Sequence, residues 1–244
     1  MKKLILICLV SWPVLAFCQI DFFICSKQNE GLKKLFKGDT IKSLYVHDCW
    51  GPATDVLSSS FLLPSGNPPP TGIYETDEEE FEAMEKLEAW SCRYAAGNLG
   101  DGDPGSAWVE GVKGHGIGEV VLVPCVDFKN DVRIWSGYGK SERLYYANSR
   151  PKKIRLCIVR GQEPVHTQYG IVWEKLVVIA ENEAELIDTN FYQSIEVPEF
   201  KVDSFYSPMF EEVMPYGYFL GLEILDVYPG SRWDDTCISE ITSK

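Results

Sequence analysis

The stretch KKIRLCIVR (152–160) alternates in a way that decides the fold class. Ile154, Leu156 and Ile158 would face one side of an extended strand, with basic residues on the opposite side. Six other short segments are rich in β-branched and aromatic residues: GEVVLVP (118–124), DVRIWSGY (131–138), IVWEKLVVIA (171–180), QSIEVP (193–198), YFLGLEILDVY (218–228) and CISEI (237–241). No helix-length periodic segment separates these strands, which disfavours a parallel βαβ architecture. The sequence therefore predicts a mostly β protein, an antiparallel sandwich or barrel.

The first residues, MKKLILICLVSWPVLAFCQ, predict export. Two lysines precede an apolar run that is too short to cross a bilayer, as in a secretory signal peptide. The small residues Ala16 and Cys18 place cleavage after Cys18, so residues 1–18 are the predicted signal, and a lipid anchor on Cys18 is the rival interpretation. We expect a secreted, periplasmic or cell-surface protein with no transmembrane segment.

Charge and cysteine content limit the function classes. The 244-residue chain has a net charge of −13, which argues against nucleic acid and anionic lipid as partners. Six cysteines follow the predicted signal, an even count that fits disulfides, and the suggested pair is Cys25 with Cys49. Without any C-x-x-C motif, a zinc ribbon or a thioredoxin-type site is disfavoured.

The chain divides into a leader, residues 19–52, and a domain, residues 53–244. A proline-rich break, LLPSGNPPPTG (62–72), precedes the segment TDEEEFEAMEKLEAW (76–90). Thr76 and Glu79 form a capping-box signature, and apolar residues recur at helical spacing. This pattern predicts an amphipathic helix packed against a core, with its carboxylates on a solvated face.

The glycine-rich run NLGDGDPGSAWVEGVKGHGIGE (98–119) does not match nucleotide-binding motifs. A dinucleotide fingerprint needs a glycine where Glu119 stands and a helix after it, and the phosphate loop resembled by SGYGKS needs a glycine where Ile134 stands. Asp101 and Asp103 alternate with glycines, as in a loop that wraps a hard cation such as calcium. An ordinary Asp-Gly turn is the alternative interpretation of the same residues.

Three segments in order resemble one group of discoidin-like (galactose-binding-like) domains, those related to the translocation domain of streptococcal NAD glycohydrolase. They are YAAGNLGDGDPGSAWVEGVKGHGIGE (94–119), SGYGKSERLYYANSRPKKIRL (136–156) and LEILDVYPGSRWDDTCISEI (222–241). The resemblance implies a jelly-roll β-sandwich in which residues 65–92 are a helix-bearing insertion. It also implies a structural calcium ion held by Asn98, Asp101, Asp103, Ser106 and Glu240.

The resemblance further implies a non-catalytic module that binds carbohydrate through loops at one end of the sandwich. The enzyme module of the streptococcal relative has no counterpart after Glu240, and no G-x-S-x-G or H-E-x-x-H motif is present. The candidate ligand-binding residues in these loops are Glu110, Tyr138, Lys140, Asn148, Arg150, Trp233, Asp234 and Asp235.

Three alternatives to a carbohydrate-binding site stay open from the sequence. The loop residues could be polar turn-formers. The loops, or the helix near 76–90, could instead serve a protein-interaction, adhesion or translocation module. The third alternative is a glycan hydrolase that uses Glu110, Asp234 and Asp235.

Overall fold

The described residues form twelve β-strands and three α-helices. A computed structural model describes residues 29–47, 57–167 and 170–243. The strands are β1 (Ile41–His47), β2 (Leu57–Ser58), β3 (Trp108–Val109), β4 (Val120–Val123), β5 (Val132–Ser136), β6 (Arg150–Thr167), β7 (Gly170–Glu185), β8 (Gln193–Ser194), β9 (Ser204–Ser207), β10 (Glu212–Pro215), β11 (Tyr218–Tyr228) and β12 (Cys237–Ser243). The helices are α1 (Leu32–Leu35), α2 (Asp77–Ser91) and α3 (Glu142–Ala147), with a 3-10 helix at Ala96–Gly100.

Two antiparallel sheets make up the body of the protein. The larger has the order β1–β7–β6–β11–β4–β2, and the smaller has the order β3–β12–β5–β8. β9 and β10 form a separate hairpin. The mostly β fold predicted from the strand pattern is confirmed, and the two distinct sheets select a sandwich rather than a barrel.

The main apolar core lies between the two sheets. Ile154, Leu156 and Ile158 of β6 are fully buried in it, together with Ile134 of β5 and Ile238 of β12. The predicted alternation of β6 is thus confirmed for the inner face. The same residues come from both sheets, so this core is what joins the two layers.

The outer face of the large sheet is also buried, because α1 of the predicted leader packs on it. Cys157 and Val159, which alternate with the inner residues of β6, join Leu32, Leu35 and Phe36 in a second apolar cluster. Burying one such leucine or phenylalanine side chain contributes roughly 1.5–3 kcal/mol. That contribution keeps α1 in place, although a four-residue helix is unstable alone.

Polar contacts fasten the leader as well. Lys33 of α1 forms an ion pair with Glu119, which is 1% exposed and also accepts hydrogen bonds from Ser59 Oγ and Ser60 Oγ at 2.5 Å. Arg155 Nη1 donates to the carbonyl of Phe36 at 3.1 Å. Because β1 pairs with β7, residues 29–47 complete the large sheet rather than trailing from it.

Helix α2 differs from its prediction in packing. Thr76 caps it as predicted, accepting from the Glu79 N–H at 3.2 Å, and Lys86 pairs with Glu82 at 3.1 Å. The apolar positions do not lie against the core, however: Phe81 is 62% exposed, and Ser91 is the one buried residue of the helix. Met84, Leu87 and Trp90 are half-buried, but no α2 side chain belongs to an apolar core cluster of the described residues. The interpretation of α2 as a helix packed against the core is therefore wrong.

Two of the six cysteines that follow the predicted signal do not form disulfides. Cys157 and Cys237 are free and buried. They lie in two separate apolar clusters, which explains why they do not pair with each other. Cys92 and Cys125 are disulfide-bonded. The predicted signal peptide and the suggested Cys25–Cys49 pair lie outside the described residues.

Candidate functional site

Three connections meet at one end of the sandwich, and we call this set the loop end. They are residues 110–119 between β3 and β4, residues 137–149 between β5 and β6, and residues 229–236 between β11 and β12. Ser149, fully buried, joins all three: its hydroxyl contacts His115 Nδ1 at 3.0 Å and accepts from the Gly230 N–H at 3.0 Å. The backbone of Ser149 also accepts from the Cys237 N–H at 3.0 Å.

Glu110 is buried inside the loop end. Its carboxylate accepts hydrogen bonds from the N–H groups of Val112 at 2.8 Å and Thr236 at 3.2 Å, and its exposed fraction is 0%. Gly116 has φ of +64°, and a Cβ there would lie 2.4 Å from Glu110 Cγ, so glycine is required at this position. Burial raises the pKa of Glu110 to about 7, against the lowering effect of the two N–H groups. Glu110 therefore fastens two loops together and does not face solvent.

Arg150 and Asn148 also point inward. Arg150 is 5% exposed and forms a bidentate ion pair with Asp188, Nε to Oδ1 at 2.7 Å and Nη2 to Oδ2 at 2.6 Å. Its guanidinium lies 5.0 Å from the Tyr145 ring centroid and 5.2 Å from that of Tyr146. Asn148 is 8% exposed, and its side-chain amide donates to the carbonyl of Leu144 at 2.8 Å. Arg150 is therefore occupied by internal contacts, and Asn148 is buried with its side-chain amide bonded to α3.

The remaining predicted ligand-binding residues are more accessible. Lys140 and Asp234 are exposed, and Trp233 and Asp235 are half-buried. Tyr138 is half-buried as well, but it packs against the small apolar cluster of Ala107, Val109 and Cys237. The predicted ligand-binding residues therefore fall into two groups. Some are buried and support the loop end, and the others lie at its outer surface.

Two further residues belong to that outer surface. Arg232 is exposed and lies over the Trp233 ring, 4.5 Å from its centroid, and Tyr146 is 45% exposed. The backbone fixes their spacing: Ser231 N donates to the carbonyl of Tyr146 at 2.9 Å, and Trp233 N donates to that of Ala147 at 2.9 Å. Tyr146, Arg232, Trp233 and Asp234 therefore lie on neighbouring loops, and we call these four residues the outer surface.

The acidic loop after the 3-10 helix is ordered by its own side chains. Asp101 Oδ1 accepts from the Asp103 N–H and Asp103 Oδ1 from the Gly105 N–H, both at 2.8 Å. Ser106 Oγ donates to Asp101 Oδ2 at 2.6 Å. The side-chain amide of Asn98 donates to the carbonyls of Arg93 and Ala107, both at 2.9 Å, which leaves no amide N–H for this loop's carboxylates. These are the bonds of successive Asp-Gly turns.

Glu240 lies beneath this loop with one oxygen unsatisfied. It is 1% exposed, and its Oε1 is buried without a hydrogen-bond partner among the described residues. Burial, together with hydrogen bonding and charge from Asp101, raises its pKa to about 8. Two of the five predicted metal ligands, Asp101 and Glu240, are therefore adjacent. No group of three or more His, Cys, Asp or Glu side chains converges in a metal-binding arrangement in the described part of the chain.

Sequence reasoning missed the residues that support the loop end. Ser149 and His115 carried no signal, since a serine in YANSR and a histidine between glycines both fit ordinary turns. Asp188 was missed because it lies 38 residues from Arg150 along the chain. Because a buried arginine requires a counter-charge, burial of Arg150 is the signal that predicts an acidic partner such as Asp188.

No described helix is long and apolar enough to cross a membrane. One of three comparisons with known proteins identifies the family. Neither the curated proteins nor the solved structures contain a match to this chain. One family model, described as NAD glycohydrolase translocation F5/8 type C domain, matches residues 73–244, which include α2. Because that match covers well over half of the chain and agrees with the sandwich, this chain belongs to the NAD glycohydrolase translocation F5/8 type C domain family.

Proposed function

We propose that the protein is an exported, non-catalytic module that binds carbohydrate at the loop end. The outer surface of Tyr146, Arg232, Trp233 and Asp234 carries this proposal. A sugar ring offers C–H patches to aromatic faces and hydroxyls to charged or amide side chains, and this surface has both kinds of group. The boundary of the signal peptide, the leader and the insertion at 65–92 stay predictions.

Rigidity of the surface supports the proposal. Tyr146 lies on α3, whose neighbour Tyr145 is fully buried and donates from its hydroxyl to Asp188 at 3.1 Å. Arg150 and Asp188 hold the same region from below, and the Ser149 network joins it to the other two loops. A preformed surface loses less conformational entropy on binding a ligand than a mobile one does.

A structural calcium ion between Asp101 and Glu240 is part of the proposal. The unpartnered Glu240 Oε1 and the nearby Asp101 carboxylate are two hard oxygen ligands whose negative charges a cation would balance. Ser106 and the backbone carbonyls of residues 98–103 would supply further oxygens. The ion's chemistry would be structural, because it would tie the loop to β12.

The hydrolase alternative is disfavoured by the position of Glu110. Its carboxylate is occupied by two backbone N–H groups and is 0% exposed, so it cannot reach a glycosidic oxygen in this conformation. Asp234 and Asp235 would then have to act without it. A pair of carboxylates on opposite sides of the scissile bond is what most glycosidases use.

A glycan array tests the carbohydrate proposal, with the protein applied in calcium and then in chelator. We expect binding to a defined set of glycans, reduced by Trp233→Ala and unchanged by Phe210→Ala, an exposed aromatic residue of the β9–β10 hairpin. Binding that survives Trp233→Ala, or no binding at all, would contradict the proposal.

A protein-interaction role is the second candidate, and α2 favours it. Seven of its residues are acidic, namely Asp77, Glu78, Glu79, Glu80, Glu82, Glu85 and Glu88, and Lys86 is its one basic residue. With Phe81 exposed on the same helix, the complementary partner would be a protein with a basic groove and an apolar floor. A cysteine introduced by Glu85→Cys should crosslink to a basic partner protein. Loss of that crosslink when Phe81→Ser is added to the same variant would support this candidate.

A further inference from the structure

Arg232 is exposed, and its guanidinium makes no hydrogen bond to any residue that the structure describes. Its carbon atom Cζ lies over the Trp233 ring, 4.5 Å from the ring centroid. Stacking uses the face of the guanidinium, whereas its five N–H donors lie in the plane and stay available. Among the described residues Arg232 takes part in no ion pair, and its exposed neighbour Asp234 does not accept from it.

The rest of the loop end adds unpaired positive charge to an otherwise acidic chain. Lys113, Lys140 and Arg143 are exposed and make no ion pair within the described part of the protein. With Arg232 these are four exposed basic residues, against the three accessible acids of the loop end, Glu142, Asp234 and Asp235. Its other two acids, Glu110 and Glu119, are buried, whereas the whole chain carries a net charge of −13. The loop end is thus a region where an anion meets less repulsion than elsewhere on the surface.

From these two observations we infer that the glycan recognised at the loop end is acidic, carrying a carboxylate or a sulfate that Arg232 binds. A guanidinium donates two parallel N–H groups to such an oxyanion, a geometry that lysine cannot reproduce. Stacking on Trp233 orients those donors before the ligand arrives, which reduces the entropy lost on binding. This inference rests on the proposed carbohydrate-binding function and names the ligand class.

Calorimetric titration with three related probes tests the inference: lactose, its 3′-sialylated form and its 3′-sulfated form. We expect an acidic probe to bind with at least about tenfold lower Kd than lactose, because hydrogen bonds to charged groups are the stronger ones. Its affinity should fall as salt is raised, and that of lactose should not. The two acidic probes separate a carboxylate from a sulfate as the recognised group.

Two substitutions and one control complete the experiment. Arg232→Gln should reduce the affinity for the acidic probe to that of lactose, and Arg232→Lys should recover only part of it. Arg93→Gln, at an exposed arginine outside the three loops, should change neither affinity. Unchanged melting temperatures would show that all variants are folded.

The outcomes distinguish the two proposals. Equal affinity for lactose and both acidic probes would overturn the inference while leaving carbohydrate binding in place. Preference for an acidic probe that persists in Arg232→Gln would also overturn the role of Arg232. If none of the three probes binds, the inference fails, and the glycan array decides whether carbohydrate binding fails with it.

Discussion

Arg150 and Asp188 face each other as a fork, with two parallel hydrogen bonds of 2.7 and 2.6 Å joining the guanidinium to the carboxylate. Arg150 is also surrounded by the rings of Tyr145, Tyr146 and Tyr228. The hydrogen bonds from Arg150 lower the pKa of Asp188. Asp188 therefore neutralises the charge of the buried Arg150, which lies at the base of the loop end.

Removing the carboxylate should destabilise the fold. Asp188→Ala leaves the buried Arg150 charge without a partner, and we expect a loss of about 3 kcal/mol in the free energy of unfolding measured in urea. The matched control is Asp203→Ala, because Asp203 binds Arg160 at 2.6 Å but is 47% exposed. That control should cost about 1 kcal/mol or less. Equal losses in the two variants would show that Arg150 is not effectively buried.

Calcium should raise the melting temperature. An ion that binds only the folded state adds about 2.7 kcal/mol at 100 times its Kd, which corresponds to roughly 5–10 °C for a domain of this size. Scanning calorimetry in calcium and in chelator measures the difference. Glu240→Gln should abolish it, and Glu212→Gln, at an exposed residue of β10, should preserve it. A response to calcium that persists in Glu240→Gln would mean that the ion binds elsewhere.

Stability should depend on pH through Glu110. Its pKa is raised from 4.5 to about 7, so between these values the folded protein keeps a proton that the unfolded chain has released. Stability from this group is therefore present below pH about 4.5 and is lost as the pH rises through about 7, by roughly 3 kcal/mol in all. Urea unfolding at a series of pH values between 5 and 8 measures this effect.

The variant Glu110→Gln isolates that contribution. Since glutamine is neutral throughout, its stability relative to the parent should improve as the pH rises from 5 to 8, by up to roughly 3 kcal/mol. The exposed Glu199→Gln serves as the control and should run parallel to the parent. Parallel curves for Glu110→Gln as well would place the titrating group elsewhere.

Packing of the leader can be tested at Gly221. A Cβ there would lie 2.8 Å from the ring of Phe36, so Gly221→Ala should push α1 away from the sheet at a cost of about 1–3 kcal/mol. Gly97→Ala is the control, since nothing lies within 4 Å of its Cβ position. Hydrogen exchange at α1 should become faster in the first variant only. Unchanged exchange there would show that Phe36 adjusts without strain.

The strands could be predicted because their signal is local. Ile154, Leu156 and Ile158 alternate within five residues, and alternation at that spacing has one structural meaning. The N-terminus of α2 was predictable for the same reason, since Thr76 and Glu79 are three residues apart. Whether the apolar side chains of α2 meet anything depends on distant elements, and the pattern carries no information about them.

Roles at the loop end were harder to predict because they depend on burial and on distant partners. Within the segment YANSR (146–150), Arg150 has the pattern of a polar loop residue. Its contact with Asp188 depends on the folding of distant segments. Glu110 belongs to a glycine-rich run that is typical of exposed loops. It is buried because Gly116, which has no Cβ, lets the backbone pack directly against its side chain. Asp234, in contrast, is exposed, as is usual for an aspartate in a turn, and Trp233 is half-buried.

The contact between Lys33 and Glu119 has a practical consequence for recombinant fragments. The family match starts at residue 73, and a fragment cut there would lack α1, β1 and β2 together with Lys33, Ser59 and Ser60. Such a fragment would leave the Glu119 carboxylate without those partners. It would also expose to water the side chains of Leu122, Val159 and Phe219, which α1 covers on the large sheet. We expect it to aggregate, whereas a fragment that begins before Asn29 should remain monodisperse.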